Sequence, residues 1–110
     1  MTRKRALVTG GTRGIGAAIA STLVEAGHEV IVTGTSPEGK APDGCAYLAC
    51  DFADESQLRA VSEEAARLEL SVLVNNAGVN KAGLLTDYAA VDFARVQQIN
   101  VTAPFLLCRA

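Results

Sequence analysis

Residues 5–16, Arg-Ala-Leu-Val-Thr-Gly-Gly-Thr-Arg-Gly-Ile-Gly, carry a short apolar strand into a glycine-studded turn and then directly into a helix. A strand ending at Thr9 delivers the chain to Gly10, which can take backbone angles closed to other residues. Gly14 lets an anion approach the main chain, and Gly16 permits close helix–strand packing. The helix that opens there aims unpaired N–H groups and the positive end of its dipole into the turn, so a phosphate is its natural guest. A glycine-rich turn alone also marks ordinary loops, and the spacing Gly10-x3-Gly14-x-Gly16 is not GxGxxG. Its context strengthens it. Ile15, Ala18, Ile19, Thr22, Leu23 and Ala26 recur at helical spacing, Gly27 stands where a helix C-cap belongs, and a second apolar run, Val30-Ile31-Val32, follows at once.

The second informative run is Val72-Leu73-Val74-Asn75-Asn76-Ala77-Gly78, a buried-strand pattern ending in two amides, a small residue and a glycine. In this order and spacing, Thr9-Gly10-x3-Gly14-Ile15-Gly16 and Asn75-Asn76-Ala77-Gly78 resemble the two N-terminal signatures of the short-chain dehydrogenase/reductase family. The resemblance runs from Lys4 to Ala110, and within the family it looks nearest to the 3-oxoacyl-acyl-carrier-protein reductase type.

At 110 residues the chain makes one small domain, able to bury ~60–70% of its unfolded surface. Family members are much longer. The resemblance implies that their catalytic serine, and the tyrosine and lysine four residues apart, lie beyond Ala110. Neither Tyr47 nor Tyr88 has a lysine four residues on. Residues 1–110 therefore resemble the dinucleotide-binding half alone.

Composition points to a cytoplasmic domain: 49% of residues are hydrophobic, 20% are charged and the net charge is −2. Nothing in that balance suggests nucleic acid, and Arg3-Lys4-Arg5 reads as a solvated terminus. No stretch approaches the ~20 apolar residues that span a bilayer, and no signal-peptide pattern follows the basic start. Cys45, Cys50 and Cys108 lack paired spacing, which argues against a disulfide framework or a metal site and for small reduced core residues. His28, after the helix-ending Gly27, reads as a polar loop residue.

After the second strand, Thr35 to Gly44 carries two prolines and two glycines without helical periodicity, so the usual crossover helix is expected to be missing or a single turn. A third strand is expected over Ala46 to Cys50. Asp54-Glu55-Ser56-Gln57 resembles a capping box for a helix to about Leu68 that buries Leu58, Val61, Ala65 and Leu68. The fourth strand, Val72 to Asn75, leads to a polar loop through about Tyr88. A last helix from Val91 or Asp92 carries Val96, Ile99, Ala103 and Leu107 as its apolar stripe. Right-handed crossovers order the parallel strands 3-2-1-4, an α/β Rossmann-like sheet with its ligand at the carboxyl ends near the switch between strands 1 and 4.

The end of the second strand, Thr33-Gly34-Thr35-Ser36, offers no acid to hold a ribose 2′-hydroxyl, and Arg13 can bond a 2′-phosphate and stack on adenine. That favours NADP(H), with Arg13, Thr35 and Ser36 as phosphate contacts. The expected cofactor set is Gly10, Gly11, Thr12, Arg13, Gly14, Ile15, Gly16, Thr35 and Ser36. The resemblance adds Asp51 for the adenine amino group, Phe52 beside the ring, and Asn76, Ala77 and Gly78 along the adenosine ribose.

The resemblance also makes Asn100 a catalytic residue, its main-chain carbonyl holding a water that extends a proton relay from the catalytic lysine. Pro104 has no N–H to return to that carbonyl, which serves this role equally well as it serves a simple helix kink. The family activity implied is hydride transfer between nicotinamide and a small-molecule carbonyl or alcohol. Without the serine and the Tyr-x3-Lys pair, residues 1–110 alone are expected to turn over little and to act as a homo-oligomer or beside a missing C-terminal half. The alternative is a non-catalytic nucleotide-binding or interaction module.

Overall fold

The computed structural model describes residues 4–78 and 89–109. Four parallel strands, β1 (Arg5–Thr9), β2 (Glu29–Gly34), β3 (Cys45–Ala49) and β4 (Val72–Asn75), form one sheet in the order β3-β2-β1-β4. Helix α1 (Gly14–Glu25) joins β1 to β2, and α2 (Glu55–Leu68) joins β3 to β4. After β4 come α3 (Ala90–Gln97), a π-helical turn (Gln98–Thr102) and α4 (Ala103–Arg109). The Rossmann-like class and strand order read from the sequence both hold.

β1 is central, and Ala6, Leu7 and Val8 are at most 1% exposed, so the strand is an unbroken apolar run covered on both faces. On one side Ala6, Val8, Val30 and Val32 pack against Ala20 of α1. On the other, Phe52 with Leu58 and Val61 of α2 meets Ile99, Ala103 and Leu107. The register sets Thr9 beside Asn75 and Val8 beside Val32, so the carboxyl ends of β1, β2 and β4 share one edge of the sheet.

The docking face of helix α1 matches only part of the one its apolar spacing suggests. Gly16 and Ala20 are buried, with Ile19, Leu23 and Val24 half-buried against the core. Ile15 is 75% exposed, and Ala18, Thr22 and Ala26 also face solvent. The smallest residues, not the largest, meet the sheet, because a Cβ on Gly16 would overlap the Gly10 carbonyl oxygen and lie 2.5 Å from Asn76 Nδ2. Gly27, with φ +93°, takes the left-handed conformation that ends the helix.

Helix α2 opens on Asp54, whose Oδ1 accepts the N–H groups of Ser56 (2.9 Å) and Gln57 (3.3 Å). The Gln57 side chain departs from the reciprocal capping box: its Oε1 accepts the Asp51 N–H at 2.8 Å, and its Nε2 donates to Asp54 Oδ2. The Ser56 hydroxyl, donating to Asp54 Oδ1 at 2.7 Å, does most to hold the Asp54 carboxyl below its ordinary value, followed by the bonds from the Gln57 side chain and backbone. Leu58, Val61 and Ala65 are buried as expected and Leu68 is half-buried.

The single last helix expected from the apolar stripe is instead two helices separated by the π turn, where Ala103 N–H donates to Gln98 O five residues back. Pro104, which cannot join an α-helical ladder through its nitrogen, follows directly. The stripe itself survives: Ile99, Ala103 and Leu107 are buried and Val96 is half-buried.

Cys50 is buried and Cys45 half-buried, but Cys108 is exposed, its Sγ 3.3 Å from Asn75 Nδ2, so it is not the core residue expected. His28 sits in the loop after α1 with Nδ1 3.3 Å from Leu23 O. Arg3, residues 79–88 of the polar loop, and Ala110 lie outside the described residues. Among the described residues no helix is long and apolar enough to cross a membrane, and no cluster of His, Cys, Asp or Glu could hold a metal ion.

Candidate functional site

Two threonines build the site's frame. Thr9 ends β1 almost fully buried, and its Oγ1 accepts the N–H groups of Asn76 (3.1 Å) and Ala77 (3.0 Å) while lying 3.4 Å from Val74 O. Asn76 Nδ2 returns a bond to Gly10 O at 3.0 Å. Thr33, buried at the end of β2, takes the Gly10 N–H on its Oγ1 (3.1 Å) and the Gly11 N–H on its carbonyl (3.2 Å). The glycine turn is thus held from both neighbouring strands.

Glycine is required at two points of that turn. Gly10 has φ +65°, and a Cβ there would lie 3.0 Å from Ala77 Cα. Gly14 has φ +60° with open space where a Cβ would stand. Gly11 is buried, and a Cβ on it would lie 2.6 Å from Val32 Cγ1. Arg13 caps α1 with extended backbone and no side-chain cap bond, so no side chain blocks the helix's first N–H groups.

Above the frame opens a cleft of ≈560 Å³, within the range of small-molecule and cofactor sites. Of the residues predicted from sequence, Gly10, Thr12, Arg13, Gly14, Thr35, Asp51, Phe52, Asn76, Ala77 and Gly78 line it. Gly11 and Gly16 lie beneath it as packing glycines, while Ile15 and Ser36 are exposed outside its lining. Asn100, in the π turn, comes to Gly78: its Oδ1 would be 3.3 Å from a Cβ there.

Sequence reasoning missed Thr33, Gly34, Cys50, Arg95 and Ile99, which also line the cleft. Ile99 and Arg95 lie four residues apart on consecutive turns, a spacing legible in the chain but not assignable to the cleft before α3 was packed. Among the described residues the Arg95 guanidinium forms no ion pair, while its carbonyl accepts the Gln98 N–H.

The cleft's ionisable groups differ in character. Asp51 is half-buried, and its Oδ1 accepts the Ala53 N–H at 2.9 Å. The Cys50 thiol is pushed up to about 11, first by burial and then by the charges of Asp51 and Asp54, so it remains a neutral thiol and no nucleophile. The α1 N-terminus, Arg13 and Arg95 bring positive charge to the cleft lining, and Asp51 brings a carboxylate.

Residues 4–110 match the family described as short chain dehydrogenase, and the chain belongs to it. It is 36% identical over 110 residues to the rhamnolipids biosynthesis 3-oxoacyl-[acyl-carrier-protein] reductase of Pseudomonas aeruginosa, covering 91% of this chain and 43% of that protein. A blue fluorescent protein from a metagenomic library, solved in complex with NADPH, superimposes with TM-score 0.84 and 36% identity over 97% of this chain and 49% of the other. A metagenomic short-chain oxidoreductase in complex with NADP gives TM-score 0.82 at 33% identity, over 97% of this chain and 54% of its own. The chain spans about half the length of these relatives.

Proposed function

We propose that residues 1–110 form the NADP(H)-binding part of a short-chain reductase that moves hydride between nicotinamide and a small carbonyl or alcohol. The observation that carries this reading is the single cleft in which the phosphate turn, the Asn76-Ala77-Gly78 motif and Asp51 converge beside an acid-free β2 end. The glycine turn fits a dinucleotide: Gly10 and Gly16 let its backbone pack closely, and Gly14, with open space where a Cβ would stand, leaves the main chain approachable at the cleft. The NADP-bound state of two similar structures supports the same reading.

NADP(H) would supply the hydride chemistry, and this chain's residues would bind and orient it. The N–H groups opening α1 hold the pyrophosphate. Arg13 and Thr35 at the cleft, with Ser36 beside it, hold the 2′-phosphate through charge-assisted bonds. Asp51 accepts the adenine amino group beside Phe52, and Asn76 to Gly78 line the adenosine ribose. Asn100, next to Gly78, holds a water on the family's proton path.

The protein works on a small-molecule substrate in the cytoplasm, where its three unpaired cysteines stay reduced. It assembles with a second copy or with further polypeptide. The alternative from another class is a non-catalytic nucleotide-binding or interaction module, and the intact mass of the native protein separates the two: a product or copurifying partner that carries Tyr-x3-Lys supports the reductase. In a calorimetric titration NADPH is expected to bind more tightly than NADH, and Arg13→Ala is expected to weaken NADPH by roughly ten- to a hundredfold while sparing NADH. Equal affinity, or a preference for NADH, overturns the 2′-phosphate assignment.

A further inference from the structure

Tyr47 stands outside the expected binding set, yet three parts of the 2′-phosphate corner meet on it. It lies on β3 opposite Val32, with its ring half-buried against the core on the α1 side. The ring covers Gly34 at the end of β2: a Cβ on Gly34 would lie 2.6 Å from the Tyr47 hydroxyl, 2.9 Å from its Cε1 and 3.0 Å from Thr12 Cγ2 of the phosphate turn. A Cβ on Gly39, across the β2–β3 loop, would overlap the same hydroxyl and lie 2.8 Å from Cε1. Two glycines therefore leave room for one aromatic ring.

The hydroxyl then fixes the loop. Tyr47 Oη donates to Ser36 O at 2.5 Å, and the same carbonyl accepts the Gly39 N–H at 3.1 Å, closing a turn over Pro37 and Glu38. Ser36 Oγ accepts the Glu38 N–H at 3.3 Å. A serine hydroxyl has one proton and two acceptor sites, so a hydroxyl held as acceptor by its own turn keeps its proton to donate outward. No helix bridges β2 and β3 to stiffen this corner. Tyr47 supplies from the sheet the rigidity that a crossover helix would give.

We infer that Tyr47 is a positioning residue for cofactor choice: by clamping the Ser36 backbone it presents Thr35 and Ser36 to the 2′-phosphate, and so sets NADP(H) over NAD(H) without touching the cofactor. The inference rests on the NADP(H) reading above. A preorganised donor loses less freedom on binding than one in a loose loop, which is the physical gain.

The test is calorimetric titration of wild-type, Tyr47→Phe and Arg13→Ala protein with NADPH and with NADH. Tyr47→Phe keeps the ring and its packing and removes only the bond to Ser36. It is expected to weaken NADPH about two- to tenfold and leave NADH unchanged. Gly39→Ala, which pushes the ring off the loop from the other side, is expected to do the same, and stands in if Tyr47→Phe folds poorly. If NADPH affinity stays at the wild-type value in both variants while Arg13→Ala abolishes the preference, the clamp is wrong and the NADP(H) reading stands. Parallel loss of both cofactors makes Tyr47 merely structural and overturns the inference. A wild-type protein with no NADPH preference overturns both.

Discussion

At Thr9 a single hydroxyl joins the two glycine motifs, accepting two N–H groups from the chain beyond β4 while its backbone continues β1. Replacing it by valine keeps the shape and leaves those donors without their acceptor, at a cost of about 2 kcal/mol. Urea unfolding of Thr9→Val checks this; a midpoint equal to wild type would show that water replaces the hydroxyl freely. At this scale the sequence was most legible where a residue's role follows from its own backbone. Gly10 has the positive φ that its place in the turn demands and was readable as such, whereas Gly14, read for close approach of an anion, takes a positive φ as well. Thr33 and Tyr47 were not. A polar residue closing an apolar run and an aromatic in a strand have bland readings, and only the pairing of β2 with its neighbours reveals what their hydroxyls reach.

Among elements, period alone predicted type and approximate extent, and failed where two helix faces competed. In α1 the larger apolar residues recur at helical spacing, yet the small face of Gly16 and Ala20 packs, because backbone proximity to Gly10 and Asn76 decides the approach. Hydrophobicity does not record that distance. The π turn before Pro104 was hidden for a related reason: the proline announces a break in the ladder, but whether the chain kinks or inserts a wider turn depends on packing Ile99 and Ala103 together. The outer face of the same helices carries Phe93, Val101 and Phe105, between 58% and 60% exposed. Residues of that size on one helical region disfavour a solitary chain, so sedimentation at micromolar concentration is expected to give species heavier than one chain. A single well-folded species at the mass of one chain contradicts that expectation.

On the scale of the whole molecule, strand order carries the functional argument. With β1 between β2 and β4, the phosphate turn, the β2 end and the Asn76-Ala77-Gly78 segment must share one edge, and all three line one cleft. This convergence was legible before any coordinate, because right-handed crossovers leave few ways to order four parallel strands. Arg95 was not, since its place at the cleft depends on how α3 returns over the sheet. Calorimetric titration of the unmodified protein with NADPH decides whether this edge binds a nicotinamide dinucleotide: saturable binding at one site per chain is expected, and the absence of any binding heat from protein shown to be folded would rule it out.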